Sequence, residues 1–404
     1  MKKFLYLPIE AKMRELDAKL LLAYYAIQQN YTVILGTHTP IFSHLHLFPK
    51  GIIFSKGTPF GDPRKQLMAD AKEMGYTLVE LDEEEGIFQN NVIYDRLGKD
   101  EAYINILEHV YCWGNKQKQM IENNFPEFKD KIHVTGHPRF DLLQSKFRPI
   151  YDEHVKDIKQ KYGEYILVNT RFTQYNHFIR GLLPHEQYLK RLCELFINLV
   201  KELSLKYPHL NIVVRPHLHE GLEIYRQELA NCKNVFIINE GNVVMWILAS
   251  KAVIHNRCTT GVEAYLLDKP VAAYLPMNYE KELSFLPNAL SYQAVHTNDI
   301  FNFIDSSVQG GMSKPKNLLL NYYEATDENY AHENIIRLLN TINLKQQNSF
   351  DESTVEALSN IKGEHTLITA EGIKAFFNNL NKIEKKNHQA SVKVIAPDLF
   401  EINL

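Results

Sequence analysis

Val253-Ile254-His255-Asn256-Arg257-Cys258-Thr259-Thr260-Gly261-Val262-Glu263-Ala264 is the stretch on which the fold turns. An apolar, β-branched run ends at His255, a short polar loop follows, and Thr259-Thr260-Gly261 opens an amphipathic segment. Strand, polar loop and helix form the repeating unit of a parallel sheet, whose strands are buried on both faces and joined by helical crossovers. A helix start exposes unpaired N–H groups and the positive end of the helix dipole, so hydroxyl and amide donors placed there suit an anion. Asn256, Thr259 and Thr260 supply such donors, and Glu263, one turn in, is in reach of a ribose hydroxyl. The plainer alternative is that Thr259 caps the helix and Glu263 is its capping carboxylate.

The same grammar runs outward in both directions. Strand-like runs over 4–9, 32–35, 51–54, 77–81, 109–113 and 131–134 alternate with helical patterns over 16–28, 63–74 and 115–124. Residues 147–162 are charged and helical, and the alternation restarts with strands over 165–168, 211–214, 234–238, 252–255 and 270–275. A long helical pattern lies over 184–206. Alternation of this kind predicts two doubly wound α/β domains, 1–150 and 151–345, facing across a cleft. Residues 346–404 read as a polar linker and a carboxy-terminal helical segment. Ligands of open α/β sheets bind outside the carboxyl ends of the strands, so strand-end residues carry the functional expectation.

Composition removes several classes. Lys+Arg 45 against Asp+Glu 48 gives a net charge of −3, so no global positive field holds nucleic acid. The four cysteines, Cys112, Cys193, Cys232 and Cys258, have neither zinc nor redox spacing and read as buried thiols of a reducing compartment. The apolar run after Met1 is too short for a signal peptide, and no stretch is long enough to span a membrane. The expectation is a cytoplasmic protein, or one peripheral to the inner membrane or to capsule-assembly machinery. There is no P-loop, no Gly-rich dinucleotide turn, no G-x-S-x-G and no metal cluster, so no metal is expected.

Four more segments place chemistry at strand ends. In Val213-Val214-Arg215-Pro216-His217, Pro216 fixes the local backbone and Arg215 and His217 can project from the strand end, the guanidinium suiting a phosphate or carboxylate. Leu81-Asp82-Glu83-Glu84-Glu85-Gly86 sets four carboxylates after a strand, either a solvated turn or an acid whose pKa its neighbours raise. Gly136-His137-Pro138-Arg139-Phe140-Asp141 is a fixed turn aiming His137, Arg139 and Asp141 outward, or an Arg139–Asp141 pair that stabilises a hinge. Arg14, Glu15, Asp17 and Lys19 crowd the start of the first helix, where the acids also suit the dipole.

Taken together, L-P-I-E-A-K-M-R-E-L-D-A-K-L-L-L-A (7–23), L-D-E-E-E-G, C-W-G (112–114), V-T-G-H-P-R-F-D-L-L (134–143), I-L-V-N-T-R-F (166–172), V-V-R-P-H, N-E-G-N-V-V (239–244), I-H-N-R-C-T-T-G-V-E-A and L-P-N-A-L-S (286–291) resemble bacterial surface-carbohydrate biosynthesis proteins of capsule and O-antigen loci. The resemblance covers residues 4–295 and implies a GT-B glycosyltransferase using a CMP-activated ulosonic acid, Kdo or a nonulosonic acid such as pseudaminic acid, with retention. It implies that Arg215, His217, Asn256, Thr259, Thr260 and Glu263 hold CMP, and that Arg14, Glu15, Glu84, Glu85, Arg139 and Asp141 face sugar and acceptor. Asp17, His137 and Asn169 join that substrate group. The extra glutamate in L-D-E-E-E-G and His137 in place of asparagine depart from the family pattern.

The expected mechanism makes Asp141 the nucleophile and Glu84 or Glu85 the general acid/base, with pseudaminic acid the first-choice donor and no cofactor beyond the CMP-sugar. Rival readings are a CDP-glycerol or CDP-ribitol phosphotransferase, a nucleotide-sugar 2-epimerase and a capsule-assembly scaffold.

Overall fold

The computed structural model describes residues 2–57, 64–83, 101–172, 184–277, 286–307, 318–319, 322–323, 329–344 and 368–404. The chain forms two compact units: Met1–Ile150 with Leu319–Leu404, and Tyr151–Leu318.

In the first unit, β1 (Lys3–Ile9), β2 (Tyr31–Thr37), β3 (Ile52–Ser55), β4 (Thr77–Leu81), β5 (Leu107–Cys112) and β6 (Ile132–Val134) lie parallel in the order β2-β1-β3-β4-β5-β6. Their continuous apolar runs suit burial on both faces, and every residue of β1 beyond Lys3 is buried. The order reverses between β1 and β3, so the sheet's topological switch point lies beside the carboxyl ends of those two strands.

In the second unit, β7 (Tyr165–Asn169), β8 (Asn211–Arg215), β9 (Val235–Ile237), β10 (Ala252–His255), β11 (Val271–Tyr274) and β12 (Tyr292–Ala294) form an all-parallel sheet in the order β12-β11-β10-β7-β8-β9. This is the order of a dinucleotide-binding half-pair, with its switch point between β7 and β10. Helix Pro184–Lys206 contributes Leu192, Phe196, Leu199 and Leu203 to its core, a 3.6-residue stripe.

The carboxy-terminal segment departs from the sequence expectation. Residues from Leu319 onward pack with the first unit, not the second. Helix Ala370–Glu384 is followed by a hairpin, β13 (Ser391–Ala396) and β14 (Leu399–Asn403), where helix alone was expected. β14 runs antiparallel to β2 and extends the first sheet to eight strands. Gly36 makes the approach possible, because a Cβ there would stand 2.5 Å from the Asp398 carbonyl oxygen. Pairing across more than 360 residues leaves no local periodicity to read.

Among the described residues, no helix is long and apolar enough to cross a membrane, and no group of three or more His, Cys, Asp and Glu could hold a metal ion.

Candidate functional site

In the second unit, three neighbouring strands deliver their last residues in register: Asn169 of β7 sits between Arg215 of β8 and His255 of β10. This row crosses the switch point. Asn169 is buried, and neither its amide nitrogen nor its oxygen has a hydrogen-bond partner among the described residues. Asn256, the next residue after β10, is likewise buried with an unpaired side-chain oxygen. Orphaned buried amides are costly, so these groups call for a polar partner, an ordered water or a ligand. Asn169, expected among the substrate-binding residues, thus lies in the same strand-end row as Arg215.

Arg215 is only 9% exposed. Its Nη2 donates to the Gly241 carbonyl at 2.6 Å and to that of Glu240 at 3.4 Å, which aims the guanidinium along the loop before helix Val243–Ala249. Gly241 takes φ +67° to present that carbonyl. Burial pulls the guanidinium pKa down, and the Glu263 carboxylate opposes that shift. Thr259 precedes helix Thr260–Leu266 and makes no side-chain capping bond, so the simple capping role is not the one observed.

His255 is a structural pin of this site. Its Nδ1 faces the Cys258 N–H at 3.4 Å and its Nε2 lies 2.8 Å from Ser291 Oγ, which itself donates to the Pro287 carbonyl. The pattern fixes a neutral imidazole protonated at Nε2. Gly261 is obligatory beneath it, since a Cβ would fall 2.4 Å from Nε2. Burial pushes the His255 pKa down to about 3. Between pH 6.5 and that value the unfolded chain binds a proton that the folded chain does not, so stability is lost as pH falls through this window. The expected loss is on the order of 4 kcal/mol at the acid end. Urea melts across pH 7 to 4 should show it, and His255→Gln should flatten the slope.

Glu220, which sequence reading passes over, organises the loops. Its Oε1 accepts from the Phe172 N–H at 2.8 Å and the His217 N–H at 3.1 Å. Its Oε2 accepts from Tyr225 at 2.6 Å and Thr170 at 3.0 Å. One buried carboxylate thus ties the loop after β7 to the loop after β8 and sets half-buried His217 beside Arg215. Burial raises its pKa against those four donors.

The first unit carries a buried charge cluster at the carboxyl ends of β4 and β6. Glu83, 2% exposed, lies 3.0 Å from Lys19 Nζ and 3.0 Å from His137 Nε2. Burial alone would raise the Glu83 pKa; Lys19, then His137 and Arg139, outweigh it and hold the carboxyl well below its usual range. His137 Nδ1 accepts from the Arg139 N–H at 3.1 Å, so Nε2 carries the proton toward Glu83, and burial holds the imidazole pKa down. Arg139 Nη1 donates to the Glu83 carbonyl at 3.3 Å, and its guanidinium stands over the Trp113 and Phe140 rings. Among the described residues, Glu83 is the member of the acidic run that joins His137 and Arg139. Glu84 and Glu85 lie outside the described residues.

Glu15 is fully buried; it accepts from the Glu10 N–H at 2.8 Å and from Arg14 Nη2 at 3.1 Å, which closes the start of helix Lys12–Ile27. Asp17 is half-buried on the same helix.

Asp141, the nucleophile of the expected mechanism, is placed against helix Ala331–Leu339. It is fully buried, and its oxygens accept from the Ala331 N–H at 2.9 Å, the His332 N–H at 2.9 Å and His332 Nδ1 at 2.8 Å. The carboxylate anchors the start of helix Ala331–Leu339, not Arg139, so the hinge pair is not formed either. Asp141→Asn should lower stability by about 2–4 kcal/mol, because the amide turns a donor toward those N–H groups. Differential scanning calorimetry checks this.

These features define the class: two Rossmann-like units in the GT-B fold, each with polar residues gathered at its strand ends. No family model matches the chain, and no curated protein matches it. Solved structures do. The UDP-GlcNAc 2-epimerase of Methanocaldococcus jannaschii superposes with a TM-score of 0.56 at 13% identity, covering 84% of this chain and 100% of that one. The Neisseria meningitidis UDP-GlcNAc 2-epimerase bound to UDP-GlcNAc gives 0.52 at 12% identity, over 85% and 100%. The wall teichoic acid polymerase TagF gives 0.53 at 13% identity, over 84% and 88%. At such identities the likeness defines the fold.

Proposed function

We propose that this protein is a nucleotide-sugar-dependent GT-B glycosyltransferase that moves a CMP-activated ulosonic acid, pseudaminic acid first, onto a sugar acceptor in surface-polysaccharide synthesis. The observation that carries the reading is the strand-end row of the second unit: unpaired Asn169 beside the buried, carbonyl-steered Arg215, and Asn256, with an unpaired side-chain oxygen, at the end of β10. A guanidinium with a few open amide groups suits one phosphate and a polar base. His217, Thr259, Thr260 and Glu263 complete the proposed CMP site. Helix-start amides and Arg215 would stabilise the departing monophosphate with no cofactor beyond the donor itself.

The acidic run of the first unit supplies the reacting groups. Asp141 is fully engaged by helix Ala331–Leu339, so we place the reactive carboxylates in Glu83–Glu85. Glu83 stays ionised beside Lys19 and His137 and fixes the strand end; Glu84 or Glu85 acts as general acid/base. Arg14, Arg139 and Asp17 would face sugar and acceptor. The protein would work on the cytoplasmic side, peripheral to the inner membrane or its capsule-assembly machinery.

The test is an intact-mass assay offering CMP-pseudaminic acid, CMP-Kdo, CMP-sialic acid and CDP-glycerol with a panel of acceptor glycosides. A glycoside product with CMP release supports the reading. A phosphodiester from CDP-glycerol, or epimerisation of a nucleotide sugar without any acceptor, refutes it.

A further inference from the structure

The first unit has its own switch point, and its chemistry is distinct from that of the second. Glu10, His38 and Lys56 are the first residues beyond the carboxyl ends of β1, β2 and β3, three adjacent parallel strands. They line a pocket with Ser55, Phe42 and Arg64 that has about 10 Å³ left inside it, room for a single water molecule. Glu10 Oε2 lies 3.0 Å from Arg64 Nη1 and in contact with Lys56 Nζ, so two cations share one carboxylate oxygen.

The pairing is lopsided. Lys56 and Arg64 are 14% and 22% exposed, whereas Glu10 is 52% exposed. The cations are built into the wall, and the acid reaches in from solvent. The neighbouring acid, Glu15, is 3.9 Å from Lys56 and already accepts from Arg14 and the Glu10 N–H. Because Glu10 is the exposed member of the trio, an incoming anion can exchange with it at the two part-buried cations.

We propose that this pocket is an acceptor subsite for the anionic substituent, carboxylate or phosphate, of a sugar, and that Glu10 is the internal carboxylate which that anion replaces. It rests on the reading of the first unit as the acceptor side, and it narrows the acceptor to an acidic sugar. A ligand carboxylate would take the two-cation seat in a pocket that Ser55 and His38 also line.

The experiment is isothermal titration of methyl β-glucuronide, methyl β-glucoside and glucose 6-phosphate into wild type, Glu10→Gln and Arg64→Met, with CMP titrated into each sample. The expected result is that at least one acidic sugar binds about tenfold or more tighter than the neutral glucoside. Glu10→Gln should tighten acidic-sugar binding severalfold by removing the competitor, and Arg64→Met should weaken it about tenfold. The tighter of the two acidic ligands identifies the substituent. Equal binding of all three sugars, or unchanged affinity in Glu10→Gln, overturns the proposal. CMP binding reads the second unit independently: its absence in wild type refutes the donor site, and its equal presence in all three proteins leaves failure at the pocket attributable to the pocket alone.

Discussion

Lys19→Met is expected to destabilise the first unit by about 3–5 kcal/mol, because it strands the Glu83 carboxylate in a site where burial opposes ionisation. Lys19 is 3% exposed, its ammonium lies 4.4 Å from the centre of the Phe54 ring, and its ionic partner within reach is Glu83 at 3.0 Å. The thermal midpoint should fall by roughly 10 °C for a unit of this size. Adding Glu83→Gln to Lys19→Met should recover much of the loss, since the uncompensated charge is then gone. The pH dependence has a definite sign. A carboxyl whose folded pKa is depressed contributes stability that is present above its unfolded value and lost as pH falls toward the folded one. The wild type should therefore lose the Glu83 contribution below about pH 4.3, and the double variant should lack that component. A Lys19→Met protein as stable as wild type would mean the cluster is solvated.

Arg215→Lys is expected to weaken CMP binding about tenfold to a hundredfold while leaving the fold intact. Lysine keeps the charge but lacks the planar fork that holds the Gly241 and Glu240 carbonyls and a phosphate at once. Asn169→Ala should cost less, severalfold, because it removes amide contacts and no charge. Titration calorimetry at fixed salt distinguishes the two. An Arg215→Lys protein that binds CMP as wild type does would move the phosphate away from β8.

Much of this was legible from residue patterns. Continuous apolar runs such as Phe4–Ile9 and Ala252–His255 are buried parallel strands, and the strand end at His255 is where the sequence placed it. Strand ends follow from local pattern, so the positions of Arg215, Asn256 and Thr260 were readable. Side-chain partners did not follow. Asp141 and Arg139 are two residues apart and invite pairing, yet the carboxylate's partners come from Ala331 and His332, about 190 positions on. Glu83, Glu84 and Glu85 look alike in sequence, and nothing in that run announces that Glu83 meets Lys19 and His137. Glu220 carries no motif, because two of its four donors, Thr170 and Phe172, come from the loop after β7, about 50 positions back. The antiparallel hairpin at the carboxyl terminus is invisible for the same reason: its partner strand, β2, is far away in the chain.

The most direct measurement is a crystal structure of the protein soaked with CMP. The phosphate is expected within hydrogen-bonding distance of the Arg215 guanidinium, with the Asn169 and Asn256 amides engaged by the nucleotide at the β7–β10 switch point. CMP bound elsewhere on the chain, with those amides still unpaired, would contradict this placement.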